Sequence, residues 1–377
     1  MTRVPAPARE QKAGAGTLGG SVTAPHVPLS LLDLAPVGEG SSPATALQAS
    51  LVLAREAERL GYARYWVAEH HNMPGIASSS PAVLLAHAAA VTSTIRLGSG
   101  GVMLPNHSAL VVAEQFGMLE ALHPGRIDLG IGRAPGTDQL TARALRRNPP
   151  GLAVDDFPEQ LVELFGYFDG AFPEGHPYRH ITATPGLGYR PALWLLGSSD
   201  YSAQAAGMLG LPFSFAHHFA ARNTRAALMV YRETFRPSEH LDAPHVMLGV
   251  SVICAETDEE ARWLAGPGAL AFLRLRSGRP GRYPTPEEAA RYNFTPQERE
   301  AIKAWTGSQV VGTPDTVRRQ LDELVDRTEA DELMVTTMTH DPAARLRSYR
   351  LVAEAAGLAP AGADAGSVSV LEDRIVG

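Results

Sequence analysis

The chain has 377 residues, 45% apolar, 19% charged and only 7% aromatic, with a formal net charge of -7, the profile of a soluble globular protein. No segment concentrates basic residues as a nucleic-acid or anionic-membrane surface would, which leaves a small organic molecule as the expected substrate. Cys254 is the only cysteine, so an intramolecular disulfide framework and a cysteine zinc site are excluded. No run of about 18 apolar residues offers a spanning helix, and a cytoplasmic location is expected. Residues 1–24 read as a disordered leader and 359–377 as a C-terminal tail.

From Pro25 onward, short apolar runs alternate with segments of helical period. A first strand over 27–34 leads to a helix over 43–60, with Leu47, Leu51, Ala54 and Ala57 on one stripe and Gly61 as its stop. Strand 64–68, helix 81–92, strand 95–103, helix 109–122, strand 127–131 and helix 158–168 follow. Strands over 193–196, 213–216, 248–254 and 332–336 come next, with helices beginning near Ser199, Arg222, Asp258 and Pro314 and a last one over 342–356. Eight strands joined by helical crossovers predict an α/β fold, a (β/α)8 TIM barrel filling one domain over 25–358. A doubly wound sheet is the competitor, but the first strand ends in Leu34-Ala35-Pro36-Val37 rather than in a glycine-rich dinucleotide turn. Two insertions interrupt the repeat, after strands 4 and 7. An excursion over 170–190 is rich in Gly, Pro, His and Tyr, and a segment over 266–311 carries Arg274, Arg276, Arg279 and Arg282 and a short helical stretch over 285–292. The second has the place of a lid over the barrel mouth, with a solvated loop as the plain alternative.

In such a barrel the strand C-termini build the active face, and polar groups fall there. The second strand runs into Glu69-His70-His71, the third into Asn106-His107, the fourth into Arg133, the fifth into Gly197-Ser198-Ser199, the sixth into His217-His218 and the eighth into a segment containing Met338. Strand alternation allows only one of two neighbours to face the ligand, and His70 is assigned that place, since imidazole moves protons near neutral pH. Glu69, His71, His107, His217, His218 and Met338 are assigned to a substrate pocket. No metal is expected, because adjacent histidines chelate poorly on a strand; the plain alternative is that the histidines satisfy backbone groups. Arg133 with the Gly197-Ser198-Ser199 turn describes a phosphate cradle, against the alternatives of a helix N-cap and a rim salt bridge. Gly98-Ser99-Gly100-Gly101 inside a strand implies a bulge, a packing accommodation or room for a flat ring, and the choice stays open.

These residues are similar to those of the bacterial luciferase-like flavin monooxygenase superfamily. The resemblance rests on 66–71 (Trp-Val-Ala-Glu-His-His), 96–105 (Arg-Leu-Gly-Ser-Gly-Gly-Val-Met-Leu-Pro), 113–115 with 125–133, and 196–199 leading into 209–212. It implies a (β/α)8 barrel that binds reduced FMN (FMNH2) delivered by a separate NAD(P)H:flavin reductase and consumes O2, with homodimers the rule. It also implies that His70 handles protons and that Arg133 binds the FMN phosphate with Gly197, Ser198, Ser199 and Tyr201. Ser99, Gly100 and Gly101 would lie under the flavin ring, with a non-prolyl cis peptide at Gly100-Gly101. The stretch from Gly132 to Arg147 resembles a non-luminescent subgroup, some of whose members tailor polyketides. Gly132 stands where light-emitting members have a reactive cysteine, so luminescence is not implied. The alternatives are hydride transfer with a deazaflavin (F420) on the same barrel, and a non-catalytic flavin-binding protein.

Overall fold

The computed structural model describes residues 27–146 and 156–359; the expected leader and nearly all of the expected tail lie outside them. Runs of buried branched and aromatic residues form strands β1 (Leu29–Asp33), β2 (Arg64–Val67), β3 (Arg96–Met103), β4 (Ile127–Gly132), β5 (Ala192–Gly197), β6 (Phe213–Phe215), β7 (Val246–Cys254), β8 (Val310–Gly312) and β9 (Glu332–Thr336). Between them lie α1 (Pro43–Leu60), α2 (Pro81–Ala90), α3 (Ala109–Leu122), α4 (Gln139–Arg146), α5 (Phe157–Asp169), α6 (Asp200–Leu209), α7 (His217–Ala220), α8 (Thr224–Thr234), α9 (Asp258–Arg276), α10 (Pro286–Arg291), α11 (Pro296–Thr306), α12 (Pro314–Thr328) and α13 (Pro342–Ala356). The helix boundaries follow local chemistry. Ser42 accepts from Thr45 N–H at 3.1 Å and Pro43 opens α1, while Gly61, at φ +84°, closes it with its N–H on the carbonyls of Ala57 and Glu58.

Strands β1 to β7 pair in sequence, β9 pairs with both β7 and β1, and all these pairings are parallel. The result is the closed eight-stranded barrel that the alternation predicts. β8 stands outside the ring, pairing Val310 with Val252 at the end of β7.

Two layers of side chains separate structural from chemical ends. Leu31, Tyr65, Leu97, Leu129 and Leu248 face the helical shell in the main core, while Leu32, Trp66, Trp194, Met247 and Met334 fill the barrel interior. Trp66 and Trp194 meet edge to face at 5.3 Å, a geometry that contributes about 0.5–1.5 kcal/mol beyond area burial. Below them, at the strand N-termini, Arg64 donates to Asp128 Oδ2 at 2.8 Å and to Glu332 Oε1 at 3.0 Å. Ser30 donates to Glu332, and Trp66 Nε1 to Asp128 at 2.9 Å. This paired network plugs one end of the barrel, leaving the strand C-termini for chemistry. Among the described residues no helix is long and apolar enough to cross a membrane.

The insertions differ from their expected form. Helix α9 runs through Pro267 to Arg276, so its last turns occupy residues expected in the lid. The remainder is a strap, then α10, α11 and β8; Phe272 of α9 and Trp305 of α11 stack at 4.8 Å. The 170–190 excursion follows α5 and leads into β5, which places it on the face opposite the mouth. Gly188 N–H on the Phe168 carbonyl at 3.0 Å and the close approach of Gly186 to Gly117 hold it against α5 and α3.

Candidate active site

Strand β2 ends at Val67, so Glu69, His70 and His71 lie in the following loop and the expected strand alternation does not govern them. Glu69 is fully buried. Its Oε1 accepts from His71 Nε2 at 2.9 Å and from His107 Nε2 at 2.8 Å, and its Oε2 accepts from Met103 N–H at 3.1 Å. Burial pushes this carboxyl up, but the bonds from His107, His71 and Met103 outweigh it and hold Glu69 below its ordinary range. The ligand atoms of Glu69, His71 and His107 lie within 4.8 Å of one another, a spacing that a metal could use. In this arrangement ring protons occupy it, since a carboxylate can only accept. The cluster ties the ends of β2 and β3 together.

His70 has a different environment. Its backbone N–H bonds to the Ser78 carbonyl at 3.0 Å, and its Nδ1 lies 3.1 Å from the Gly136 carbonyl. A carbonyl only accepts, so Nδ1 carries the proton and Nε2 is the basic nitrogen. Burial lowers its pKa below the usual histidine value, against the raising effects of the Gly136 bond and the Glu69 charge. His70 is thus held neutral, in one tautomer, beside a carboxylate.

Across the mouth, His217 and His218 open the short helix α7 instead of ending β6. His217 Nδ1 is engaged by Thr224 Oγ1 at 2.8 Å. His218 packs on Gly249, where a Cβ would come within 2.7 Å of its Nδ1. Burial first, then the charges of His217 and His70, push His218 down to about 4; it is neutral wherever the protein functions near neutral pH. The Met338 carbonyl accepts from the Tyr283 hydroxyl at 2.9 Å. The Tyr283 backbone pairs with Val37 and Glu39 at 2.8 and 2.9 Å, which laces the strap after α9 onto the loops after β1 and β9.

Arg133 leaves the end of β4, and its guanidinium stacks on the Tyr201 ring at 4.1 Å. Tyr201 is in the first turn of α6, whose N-cap residue, Ser199, makes no side-chain cap bond. The first N–H groups of α6 are therefore left to other acceptors at the place where a guanidinium sits. The plain N-capping alternative is not what Ser199 does. Gly197 is required for another reason: a Cβ there would run into Ser202, so only glycine lets α6 start this close to β5.

The glycine stretch of β3 combines two of its expected readings. The register with β4 shifts between Ser99 and Val102, and the Gly100-Gly101 peptide is cis. A Cβ on Gly98 would meet the Trp66 indole and one on Gly101 would lie 2.8 Å from the Gly130 carbonyl. Tight packing of neighbouring strands thus demands both glycines. The Ser99 hydroxyl is turned to the Gly130 carbonyl at 2.8 Å, away from the mouth residues.

The loop after β4 was singled out in the sequence only by resemblance, and apart from Arg133 its residues were given no place in the site. Asn106 Nδ2 donates to the Pro135 carbonyl at 2.8 Å, Thr137 Oγ1 to the His71 carbonyl at 2.8 Å, and Asn72 Nδ2 to Asp138 Oδ2 at 3.0 Å. The available signal was Asp138, a helix cap whose Oδ1 takes Leu140 N–H at 2.9 Å and Thr141 N–H at 3.0 Å. The assembled mouth offers a neutral base, a clustered carboxylate with two histidines, and a cationic anion cradle above an apolar interior.

Comparison with known proteins agrees with this geometry. The model of the luciferase-like monooxygenase family matches residues 27–332. Protein YvbT of Bacillus subtilis (strain 168) is 51% identical over 326 residues, 86% of this chain and 96% of that one. A luciferase-like monooxygenase of Escherichia coli (strain K12) is 48% identical over 325 residues, with coverages of 86% and 96%. The crystal structure of apo-MsnO8 aligns with a TM-score of 0.81 at 44% identity, covering 89% of this chain and all of that one.

Proposed function

The chain belongs to the luciferase-like monooxygenase family and is an oxidoreductase, and from that premise we propose an FMNH2- and O2-dependent monooxygenase. In this reading it works in the cytoplasm with a separate NAD(P)H:flavin reductase and hydroxylates or epoxidises a small organic substrate of polyketide-like character. The observation that carries the reading is the Arg133 guanidinium, 4.1 Å from the Tyr201 ring, at the start of a helix whose N-cap side chain leaves its N–H groups unclaimed. That donor set fits a phosphate monoester such as the one at the end of FMN.

Bound there, reduced FMN would supply the reducing equivalents that activate O2. The chain's own residues do the rest. Arg133, Ser198, Ser199 and the first turn of α6 hold the phosphate, and Tyr201 keeps the guanidinium in place. Leu32, Trp66, Leu196 and Met334, grouped in the barrel interior, offer an apolar floor. His70 Nε2 takes or returns a proton at the reacting oxygen, which its neutral tautomer permits. The Glu69, His71 and His107 cluster fixes the loop that carries it.

A homodimer is part of this reading. On α3, Val111, Gln115, Met118 and Leu122 recur at four, three and four residues on the solvent face, Val111, Met118 and Leu122 being 43, 51 and 68% exposed. On the neighbouring α2, Val83 is 59% exposed beside Ala86 and Ala90. A second copy of the chain would bury this charge-poor face.

Anaerobic titration decides the cofactor. Reduced FMN should bind more tightly than oxidised FMN, and Arg133→Ala should weaken it at least tenfold, the loss of a charge-assisted contact of about 1.5–3 kcal/mol. Tight binding of reduced F420 in place of reduced FMN would overturn the proposal in favour of hydride transfer.

A further inference from the structure

Alternation along β7 and β9 sorts their side chains between the helical shell and the barrel interior. Met247 of β7 and Met334 of β9 lie in the interior cluster, while Val250, Val252 and Val335 lie in the outer core. Gly249 and Thr336 therefore point inward. Gly249 pairs with Met334 and Ser251 with Thr336, so Thr336 stands one inward position nearer the mouth than Gly249. Thr336 is only 4% exposed, and its hydroxyl is buried without a hydrogen-bond partner. On the other flank of β7, His218 fills the room left by the missing side chain of Gly249, and the Phe219 ring meets the imidazole edge to face at 4.6 Å. Its Nδ1 lies against the Gly249 backbone, which favours a proton there, yet no hydrogen bond of good geometry forms. Nε2 is left as the accepting nitrogen and makes no hydrogen bond to a described residue. Buried polar groups left unpaired oppose folding, and each calls for an explanation. Two of them on adjoining strands of one mouth share one.

We propose that His218 and Thr336 form a specificity wall for the polar edge of an uncharged, otherwise apolar substrate: a hydroxyl of the substrate donates to His218 Nε2, and the Thr336 hydroxyl bonds the same edge. The inference rests on the monooxygenase reading above and narrows its substrate class. A lone pair on Nε2 calls for a donor, so an ether or ketone would leave it unpaired and a carboxylate would meet it with negative charge. The Thr336 hydroxyl donates or accepts and suits an oxygen on that edge. The interior below is apolar, with Leu32, Met247 and Met334, and takes the body of the molecule. β9 is the fourth strand round the ring from β4 in either direction, so the wall stands across the mouth from Arg133. A cofactor anchored at Arg133 leaves it to the substrate.

A site built to bond a hydroxyl rejects the analogue that lacks it, because its own polar groups are then stranded. The test is fluorescence titration of the whole protein with 2-naphthol, 2-methoxynaphthalene and 2-naphthoate, without flavin and with FMN. The wall predicts that 2-naphthol binds about tenfold or more tighter than either analogue, the worth of one or two hydrogen bonds. His218→Phe, which keeps a ring against Gly249, should bring 2-naphthol to within twofold of 2-methoxynaphthalene. Thr336→Val should weaken 2-naphthol about fivefold, and Thr336→Ser should restore it. The two sites lie on different elements and guard against one variant failing to fold. A wild type that binds the three probes alike, or does not bind 2-naphthol up to its solubility, overturns the wall. So does a preference for 2-naphthol that persists in His218→Phe, or a Thr336→Val that binds it as the wild type does. Competitive displacement of 2-naphthol by FMN would give these groups to the flavin ring and overturn the substrate assignment. If FMN does not bind, the cofactor reading fails by itself, and the titrations without flavin still decide the wall.

Discussion

Arg64 and Asp128 meet at 2.8 Å inside the closed end of the barrel, with the carboxylate fully buried. Burial raises the Asp128 pKa, but Arg64 and Arg96 outweigh it and hold the group below its ordinary 3.8; Glu332 is likewise held below 4.5, chiefly by Arg64. Carboxyls with depressed folded-state pKa values give stability that is present above their unfolded values and lost as pH falls through the folded ones. His218 adds the same sign: its buried form stays neutral down to about 4, whereas the unfolded chain takes up that proton near 6.5. Stability should therefore decline as pH falls from 7 toward 4 and collapse below. Asp128→Asn should cost about 3–5 kcal/mol at pH 7, because Arg64 and Arg96 lose their shared partner, and should flatten the acid decline. Urea midpoints for both proteins at pH 7, pH 4 and about pH 2.5 check this: the two should decline alike from 7 to 4, where His218 titrates, the variant should lose less below 4, and an equal loss below 4 would refute it.

The barrel was legible because its signal is local and repeated. Each of β1 to β7 and β9 is a short apolar run, and each is followed by helical periodicity and a polar strand end. Arg133 and the Gly197-Ser198-Ser199 turn were legible for the same reason: the fold rule places strand ends on one rim. What escaped has no local signature. The bond from His107 to Glu69 joins residues 38 apart, and only barrel curvature brings their loops together. Gly136 looks like an ordinary turn glycine until Glu69 is packed against it. Helix α4 has only 8 residues and buries none of them, so no core contact marks it out. Helix α11 did carry a signal, the reciprocal Thr295 and Glu298 capping box, obscured by the Arg, Gly and Pro before it.

His70 bears on turnover and little on cofactor affinity, since its partners are Gly136 and Ser78 and not the cradle. His70→Gln should slow product formation by about a hundredfold or more while leaving the dissociation constant of reduced FMN within about twofold. Because burial lowers its pKa below 6.5, the wild-type rate should rise with pH on the acid side with a midpoint below that value, and His70→Gln should lose this limb. Steady-state assays with reductase, FMN and NADH across pH 5–8 read the limb at the pH where neutral imidazole is gained. A midpoint above 6.5 would contradict the burial argument.

Tyr201 separates orientation of the guanidinium from its charge. Its ring lies 4.1 Å from the Arg133 guanidinium, and a contact of this kind at an exposed site is worth about 0.5–1 kcal/mol. Tyr201→Leu should therefore weaken reduced FMN about two- to fivefold, while Tyr201→Phe, which keeps the ring face, should bind nearly as the wild type does. Equal losses in both variants would assign the effect to the phenol hydroxyl on the phosphate, a different role for the same residue.

The apolar face of α2 and α3 makes a claim about assembly that does not depend on the cofactor. Val111, Met118 and Leu122 lie on the solvent side of α3 while Val112, Phe116 and Leu119 face the barrel, so the helix carries apolar residues on both faces, as helices covered on both sides do. Val83 and the alanines of α2 extend the patch, and the small residues between them let a facing helix approach closely. A two-fold arrangement would set α2 and α3 of one copy against the same helices of the other and bury the patch in a single step. Met118→Glu with Leu122→Glu would place a carboxylate pair on each side of such a contact, an effect that high salt screens only partly. Sedimentation should show the wild type as a dimer at micromolar concentration and the double variant as a monomer with an unchanged far-ultraviolet spectrum. The side chains at both sites point outward, so the monomer should retain its barrel. A wild type that sediments as a monomer at every concentration would leave this face to another partner.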